Sequence, residues 1–265
     1  MRKQQRRRKL MAAQFPAAWN RILEARCPFY GRISSADRHE LQGHIQVFLA
    51  EKSFEGCGGL VITEEMKLCI AAQACLLLLH RKTDYYPGLH SILLYPTTYF
   101  VQETRHLGAG VMEEGHYARL GEAWQQGAVV LAWDAVRQGT ADPADGHNIV
   151  FHEFAHQLDY EDGWANGAPV LAEGHAWPAR QSRYTAWGRV LSTEFERLRS
   201  DSQRGRPAVL DEYGATNPAE FFAVATESFF ERPRDMREKH PELYEELKGY
   251  FLQDPAEWSW SSKPE

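Results

Sequence analysis

Two histidines and a glutamate stand together at residues 152–156, in the string HEFAH. On an α-helix successive residues turn by about 100°, so His152 and His156 lie one turn apart on one face, where a single Zn2+ can accept both imidazoles. Glu153 projects beside them, near enough to take a proton from a water that such an ion activates. The neighbours Ile149, Val150, Phe154, Ala155 and Leu158 suit a buried helix. Burying two imidazoles and a carboxylate is costly without compensation, and a metal supplies it.

A catalytic zinc site needs a third protein ligand and an open fourth position. Two positions could supply that ligand. Asp162 lies six residues past His156, as in compact sites where the chain turns straight back, although such a turn favours glycine where Asp159 stands. Glu220 lies farther off, in TNPAEFFAVATESFFERP. There Thr216 or Asn217 can cap a helix, Pro218 suits its first turn and Pro233 follows its end. Glu220 is flanked by Phe221, Phe222, Ala223 and Val224, a setting that penalises an unpaired carboxylate. Glu227, seven residues on, sits about 20° round the same stripe and could accept the free N–H of a ligand histidine. Asp159 could orient a ligand histidine or close its helix. Tyr213, seven residues before Glu220, carries a phenol able to donate to an oxyanion.

The elements that must hold these residues follow from periodicity. SSADRHELQGHIQVFLAEK (Ser34 to Lys52) reads as a capped amphipathic helix with Leu41, Ile45, Phe48 and Leu49 on its apolar side. A second helix starts at Thr63 with Glu64 and Glu65 in its first turn, and its apolar stretch Leu68 to His80 is too short to span a bilayer. SILLYP (Ser91 to Pro96) and GAVVLAW (Gly127 to Trp133) read as strands, with TYFVQ (Thr98 to Gln102) as a third. Helical patterns return from about Asn148: the HEFAH segment, then Arg183 to Arg199, Pro218 to Glu231 and Pro241 to Leu252. The Gly/Pro-rich segment between the first two reads as an ordered loop. Helices, a small sheet and helices again make an α+β chain.

Charge excludes some classes of function. Residues 2–9, RKQQRRRK, hold six of the 30 Lys and Arg, so the net charge of −6 conceals a body with 24 basic against 36 acidic residues. An acidic body disfavours nucleic-acid binding, and residues 1–15 read as a basic flexible tail. The segment LMAAQFPAAW is too short and too weakly apolar for a secretory signal, which points to the cytoplasm. Cys27, Cys57, Cys69 and Cys75 form no CxxC pair and indicate neither a disulfide framework nor a cysteine metal site.

HEFAHQLD joined to DEYGATNPAEFFAVATESFF resembles the Mlc titration factor A family of bacterial zinc peptidases. GEAWQQGAVVLAW (Gly121 to Trp133) and YFLQDP (Tyr250 to Pro255) are similar to family segments in the same order, so the resemblance covers roughly residues 20–257. It implies a gluzincin-like metallopeptidase whose catalytic domain is similar to that of anthrax lethal factor. By the same resemblance Zn2+ is held by His152, His156 and Glu220, with Glu153 and Tyr213 catalytic. The family is described as cytosolic, with aminopeptidase activity on small model substrates, and as binding the glucose repressor Mlc to relieve repression of glucose transporter genes. Some relatives carry another histidine ahead of the strand region. The nearest here is His116, which is not counted as a ligand. The basic N-terminus is not a family feature.

The expectation is thus a zincin-like α+β domain over residues 16–258 with a small mixed sheet and metal-binding helices. Its N-terminal helical part covers about 16–88, with short tails at 1–15 and 259–265. Its function would be hydrolysis of peptides by a zinc-activated water, with GAVVLAW as a strand to which substrate could add. The rival expectation is a non-catalytic protein that titrates a repressor. Neither a membrane nor direct nucleic-acid binding is expected.

Overall fold

The computed structural model of the chain describes residues 2–98, 127–142, 144–171 and 177–258. Two compact units result. The first comprises residues 1–79, 83–142 and 259–265, and the second residues 80–82 and 143–258. Each has its own core, and the architecture is α+β.

The first unit holds helices α1 (Arg2–Met11), α2 (Ala17–Arg26), α3 (Ser35–Glu51) and α4 (Glu64–Leu76), with α3 packed on α1 and α4, and a three-stranded sheet. Strands β1 (Ser53–Gly56), β2 (Ser91–Tyr95) and β3 (Ala128–Ala132) follow that order and pair in parallel. Parallel pairing needs a crossover, and α4 lies in the connection between β1 and β2. Ile92 pairs with Val129 and Leu94 with Leu131, and all four are buried, as a period of two demands. Helix α5 (Trp133–Ala141) follows β3 directly. The caps at Ser34 and Thr63 form as expected, each accepting a hydrogen bond from the backbone three residues on.

Three features differ from expectation. The described strands pair only in parallel, and β1, a four-residue strand, was not foreseen. Past Thr98, the segment expected as a third strand lies outside the described residues, as does His116. The stretch expected as a flexible tail is helix α1, and its Arg7 is buried against Glu51 and Asp84. Those two carboxylates give the buried guanidinium the partners that a solvated tail would not need.

The second unit is helical: α6 (Ile149–Asp159), α7 (Trp177–Gln203), α8 (Pro218–Glu231), α9 (Pro233–Lys239) and α10 (Pro241–Phe251). Helix α8 is its centre. Every residue from Ala219 to Glu231 is buried, so the helix has no solvent face. Phe221, Phe222, Phe229 and Phe230 meet Phe195 and Trp187 of α7, Phe151 of α6 and Phe251 of α10, with ring centroids 5.1–5.8 Å apart. Among the described residues no helix is long and apolar enough to cross a membrane.

Candidate metal centre

A helix buried all round should be apolar all round, yet α8 carries Glu220, Glu227 and Glu231. At about 100° per residue the three share one stripe, and that stripe faces α6. The two helices run antiparallel and meet in successive rungs. Asn148 Nδ2 donates to Glu231 Oε1 at 2.9 Å. His152 Nδ1 lies 2.8 Å from Glu227 Oε1. His152 Nε2 and His156 Nε2 lie 3.0 and 3.3 Å from Glu220 Oε2. Each buried carboxylate therefore has partners on α6 or at its N-terminus.

Both helices begin on an asparagine. Asn148 Oδ1 accepts from the backbone N–H of Val150 and Phe151, and Asn217 Oδ1 from those of Ala219 and Glu220. Pro218 occupies the first helical position, where its missing N–H costs nothing. The caps fix where each helix starts, and so the register that brings residue 152 opposite 227 and residue 156 opposite 220.

The third side of the cluster is His152 Nε2 to His156 Nε2, at 3.2 Å. Two imidazole nitrogens and a carboxylate oxygen thus form a triangle with edges of 3.0, 3.2 and 3.3 Å. A tetrahedral ion with ligand bonds of about 2.0–2.1 Å sets its ligand atoms about 3.3–3.4 Å apart. The residues fit such an ion in spacing and in donor chemistry, since two imidazoles and one carboxylate form a recurrent zinc set. Glu227 fits as well. With the Nδ1 proton of His152 shared with a carboxylate, the Nε2 lone pair is left for a metal.

The protonation balance reflects how tightly the cluster is packed. Burial disfavours a charged His152, but the hydrogen-bonded carboxylates of Glu220 and Glu227 outweigh it and hold its pKa above the ordinary value. Burial prevails at His156, whose pKa is lowered despite Glu220. Glu220, which burial alone would raise, is brought down to about 2 by its hydrogen bonds with the two histidines. Glu231, with weaker support from Asn148 and Gly146, is pushed up by burial to about 8.

The remaining candidates separate cleanly. Glu153 is buried on α6 beside the histidines, and its charge adds to the field that favours a protonated His152. Tyr213 sits in the single turn Glu212–Ala215, its ring centroid 5.9 Å from that of His152. Asp162 is exposed, accepts from the N–H of Trp164 and does not join the cluster. The physical reason is that α6 runs on through Asp159 into another helical turn. The chain reverses only at Gly163, where φ is +93°. Asp159 Oδ2 accepts from Gly167 N–H at 2.8 Å, so this buried carboxylate holds the following loop. Asn148 and Glu231 were not singled out from the sequence. The signal existed: residue 231 continues the stripe of 220 and 227, and asparagine is a preferred cap.

The model of the family described as glucose-regulated metallo-peptidase M90 matches residues 1–252. An uncharacterized protein of Synechocystis sp. is 41% identical over 251 residues, covering 94% of this chain and 89% of that protein. Mlc titration factor A of Klebsiella pneumoniae is 32% identical over 231 residues, covering 86% of this chain and 83% of the relative. Mlc titration factor A of Serratia proteamaculans is 34% identical over 229 residues, covering 84% of each.

Proposed function

The chain belongs to the glucose-regulated metallo-peptidase M90 family, and from that membership we propose that it is a zinc-dependent, aminopeptidase-like enzyme of the gluzincin type acting in the cytoplasm. The observation that carries this reading is the triangle of His152 Nε2, His156 Nε2 and Glu220 Oε2, its edges matched to a tetrahedral ion. These three residues hold the zinc. When bound, the ion supplies a Lewis acid toward the scissile carbonyl and lowers the pKa of water toward neutrality.

The chain's own groups do the rest. Glu153 takes the proton of the attacking water and passes it to the departing amine. Tyr213, beside His152, donates to the carbonyl oxygen as negative charge develops on it. Glu227 keeps the His152 ring in one orientation and one tautomer. The substrates are peptides. Because imidazole binds metal only when neutral there, activity falls on the acid side as the histidines protonate.

The name shared by the two enterobacterial relatives speaks of titrating Mlc and not of hydrolysis. It favours a second role, binding the repressor Mlc and so regulating transcription, which could coexist with peptidase activity or replace it. Three measurements on the wild type, Glu153→Gln and Glu220→Ala decide between them: metal content, hydrolysis of aminoacyl p-nitroanilides, and retention of purified Mlc. The peptidase reading expects about one zinc in wild type and Glu153→Gln, little in Glu220→Ala, and a loss of hydrolysis of about a hundredfold or more in Glu153→Gln. A wild type that holds no metal even when zinc is supplied, yet retains Mlc, leaves only the binding role.

A further inference from the structure

Glu231, the last residue of α8, is buried and is not one of the three groups of the metal triangle. It stands eleven residues beyond Glu220, about 16 Å along the helix at 1.5 Å per residue. Its two oxygens serve one short segment, the entry to α6. Oε1 accepts from Asn148 Nδ2 at 2.9 Å, and Oε2 accepts from the backbone N–H of Gly146 at 3.2 Å. Glu227, one turn back on the same stripe, accepts from the backbone N–H of Asn148 through Oε2. Two buried carboxyls a turn apart therefore grip residues 146–148 just before the histidine helix begins.

Asn148 passes that grip on to the metal centre. Its Oδ1 caps α6 at the N–H groups of Val150 and Phe151, each at 3.1 Å. Its carbonyl accepts from the N–H of His152 at 2.9 Å, the bond that seats the first ligand histidine on the helix. An asparagine amide accepts at one end and donates at the other. With Nδ2 held by Glu231, Oδ1 is the end that faces the helix. Turned over, the amide would set its NH2 against two N–H groups and its oxygen against a carboxyl. A buried acid that merely needed partners could take them from any element nearby. Both donors to Glu231 come instead from the residues that decide where α6 starts and which way it points.

We propose that Glu231 is a positioning residue for the metal centre, acting through the amide of Asn148 on the seat of His152. It touches neither the ion nor the substrate. The assignment rests on the reading of His152, His156 and Glu220 as the zinc ligands. To that reading it adds a requirement of hydrogen-bond polarity, an acceptor at position 231 facing a donor at position 148. Glu231→Gln breaks it, because the new amide can offer its oxygen to Asn148 or to Gly146 but confronts the other with its NH2. Asn148→Asp breaks it from the other side, since the new carboxylate still caps the helix but gives Glu231 no N–H.

Exchanging the two groups tests the polarity. In the double variant Asn148→Asp/Glu231→Gln the 148–231 bond is remade with its direction reversed, and the cap and the Gly146 contact keep their acceptors. Zinc affinity of the full-length protein is read by competition with a chromogenic chelator, and ligand geometry by the d–d absorption of the Co2+-loaded protein. Thermal melts of the metal-free proteins report the fold separately. Asn148→Asp and Glu231→Gln should each weaken zinc binding about five- to tenfold and alter the Co2+ bands. The double variant should bring both readouts back close to wild type, a coupling that independent sites do not show. Asn148→Ser keeps a capping oxygen without an amide for Glu231, so it replaces a single variant that does not fold and should weaken zinc binding in the same way. Single variants that melt early yet keep the zinc affinity and Co2+ bands of the wild type would overturn the assignment, leaving Glu231 a support of the fold alone. A double variant no better than the weaker of its parents would do the same, since polarity would then play no part. A wild type that binds neither ion removes the zinc reading itself, and the assignment falls with it.

Discussion

His152 and Glu227 share a proton across 2.8 Å between helices α6 and α8, on the side of the imidazole away from Glu220. The contact does two jobs. It satisfies a carboxylate on a helix with no solvent face, and it frees Nε2 of His152 as a lone-pair donor. Glu227 is held in turn by the backbone N–H of Asn148, the cap of α6. The start of the histidine helix and the orientation of its first histidine are thereby fixed by one side chain.

Glu227→Gln should therefore lower metal affinity without removing a ligand. The amide can still accept through its oxygen, but it no longer favours the Nδ1–H tautomer by charge. A loss of about 10- to 100-fold in affinity is expected, as for other carboxylates behind ligand histidines. Competition with a chromogenic chelator measures it. An unchanged affinity would mean that His152 needs no such partner.

Gly167 offers a test at a distance from the donor atoms. Its φ is +77°, its N–H donates to Asp159 and its carbonyl accepts from Trp187 Nε1. A Cβ there would run into the carbonyl of Pro218, the first residue of α8, two positions before Glu220. Gly167→Ala should then destabilise the protein by roughly 2 kcal/mol or more, through strain at positive φ and the backbone clash together. It should also weaken metal binding by displacing the start of α8. Thermal melts with and without added zinc read both effects.

How much of this was legible depends on whether the information was local. His152, Glu153 and His156 sit in five residues, and helical rotation alone puts the two histidines on one face. Pro218 to Glu231 could be delimited to the residue because an asparagine cap, a proline and a following proline mark its ends. Choosing Glu220 over Asp162 as the partner of the histidines was different, since it depended on where α6 stops. The sequence has aspartate at 159, but the chain turns at Gly163, and the intervening residues continue the helix. Strand β1 was missed because four residues of SFEG show no period to read. Helix α1 was missed because a run of arginines looks solvated until Glu51 and Asp84 are known to lie beside it. Long-range ion pairs leave no trace in local composition.

Glu231 makes stability depend on pH. Burial raises its pKa from 4.5 to about 8, so the folded protein holds a proton that the unfolded chain gives up. Below pH 4.5 both states are protonated, and the stability of the folded form is fully present. Between 4.5 and about 8 the unfolded state ionises first, and stability is lost as pH rises. Glu231→Gln cannot ionise, so its melting temperature should decline less than that of the wild type between pH 5 and pH 9. Parallel slopes for the two proteins would mean that the carboxyl is already ionised in the fold at neutral pH.

The structure gives the basic N-terminus work in folding. Arg7 is 3% exposed, and both of its guanidinium edges are occupied: Nε and Nη2 donate to Glu51 at 2.8 and 2.7 Å, and Nη1 to Asp84. Lys3 adds a more exposed pair with Asp84, which by itself is worth little. Removing one partner of a buried pair leaves the other charge uncompensated, at about 3–5 kcal/mol when burial is complete. Glu51 is largely buried but Asp84 is half exposed, so Arg7→Ala should cost less, about 1–3 kcal/mol. Lys3→Ala should cost a few tenths of a kcal/mol at most. Deleting residues 2–11 should resemble Arg7→Ala or exceed it, since it also uncovers α3. Chemical denaturation of the three variants decides the matter. If the deletion melts with the wild type, the segment is the loose tail its composition suggested. If it unfolds early and Lys3→Ala does not, one buried arginine accounts for the helix.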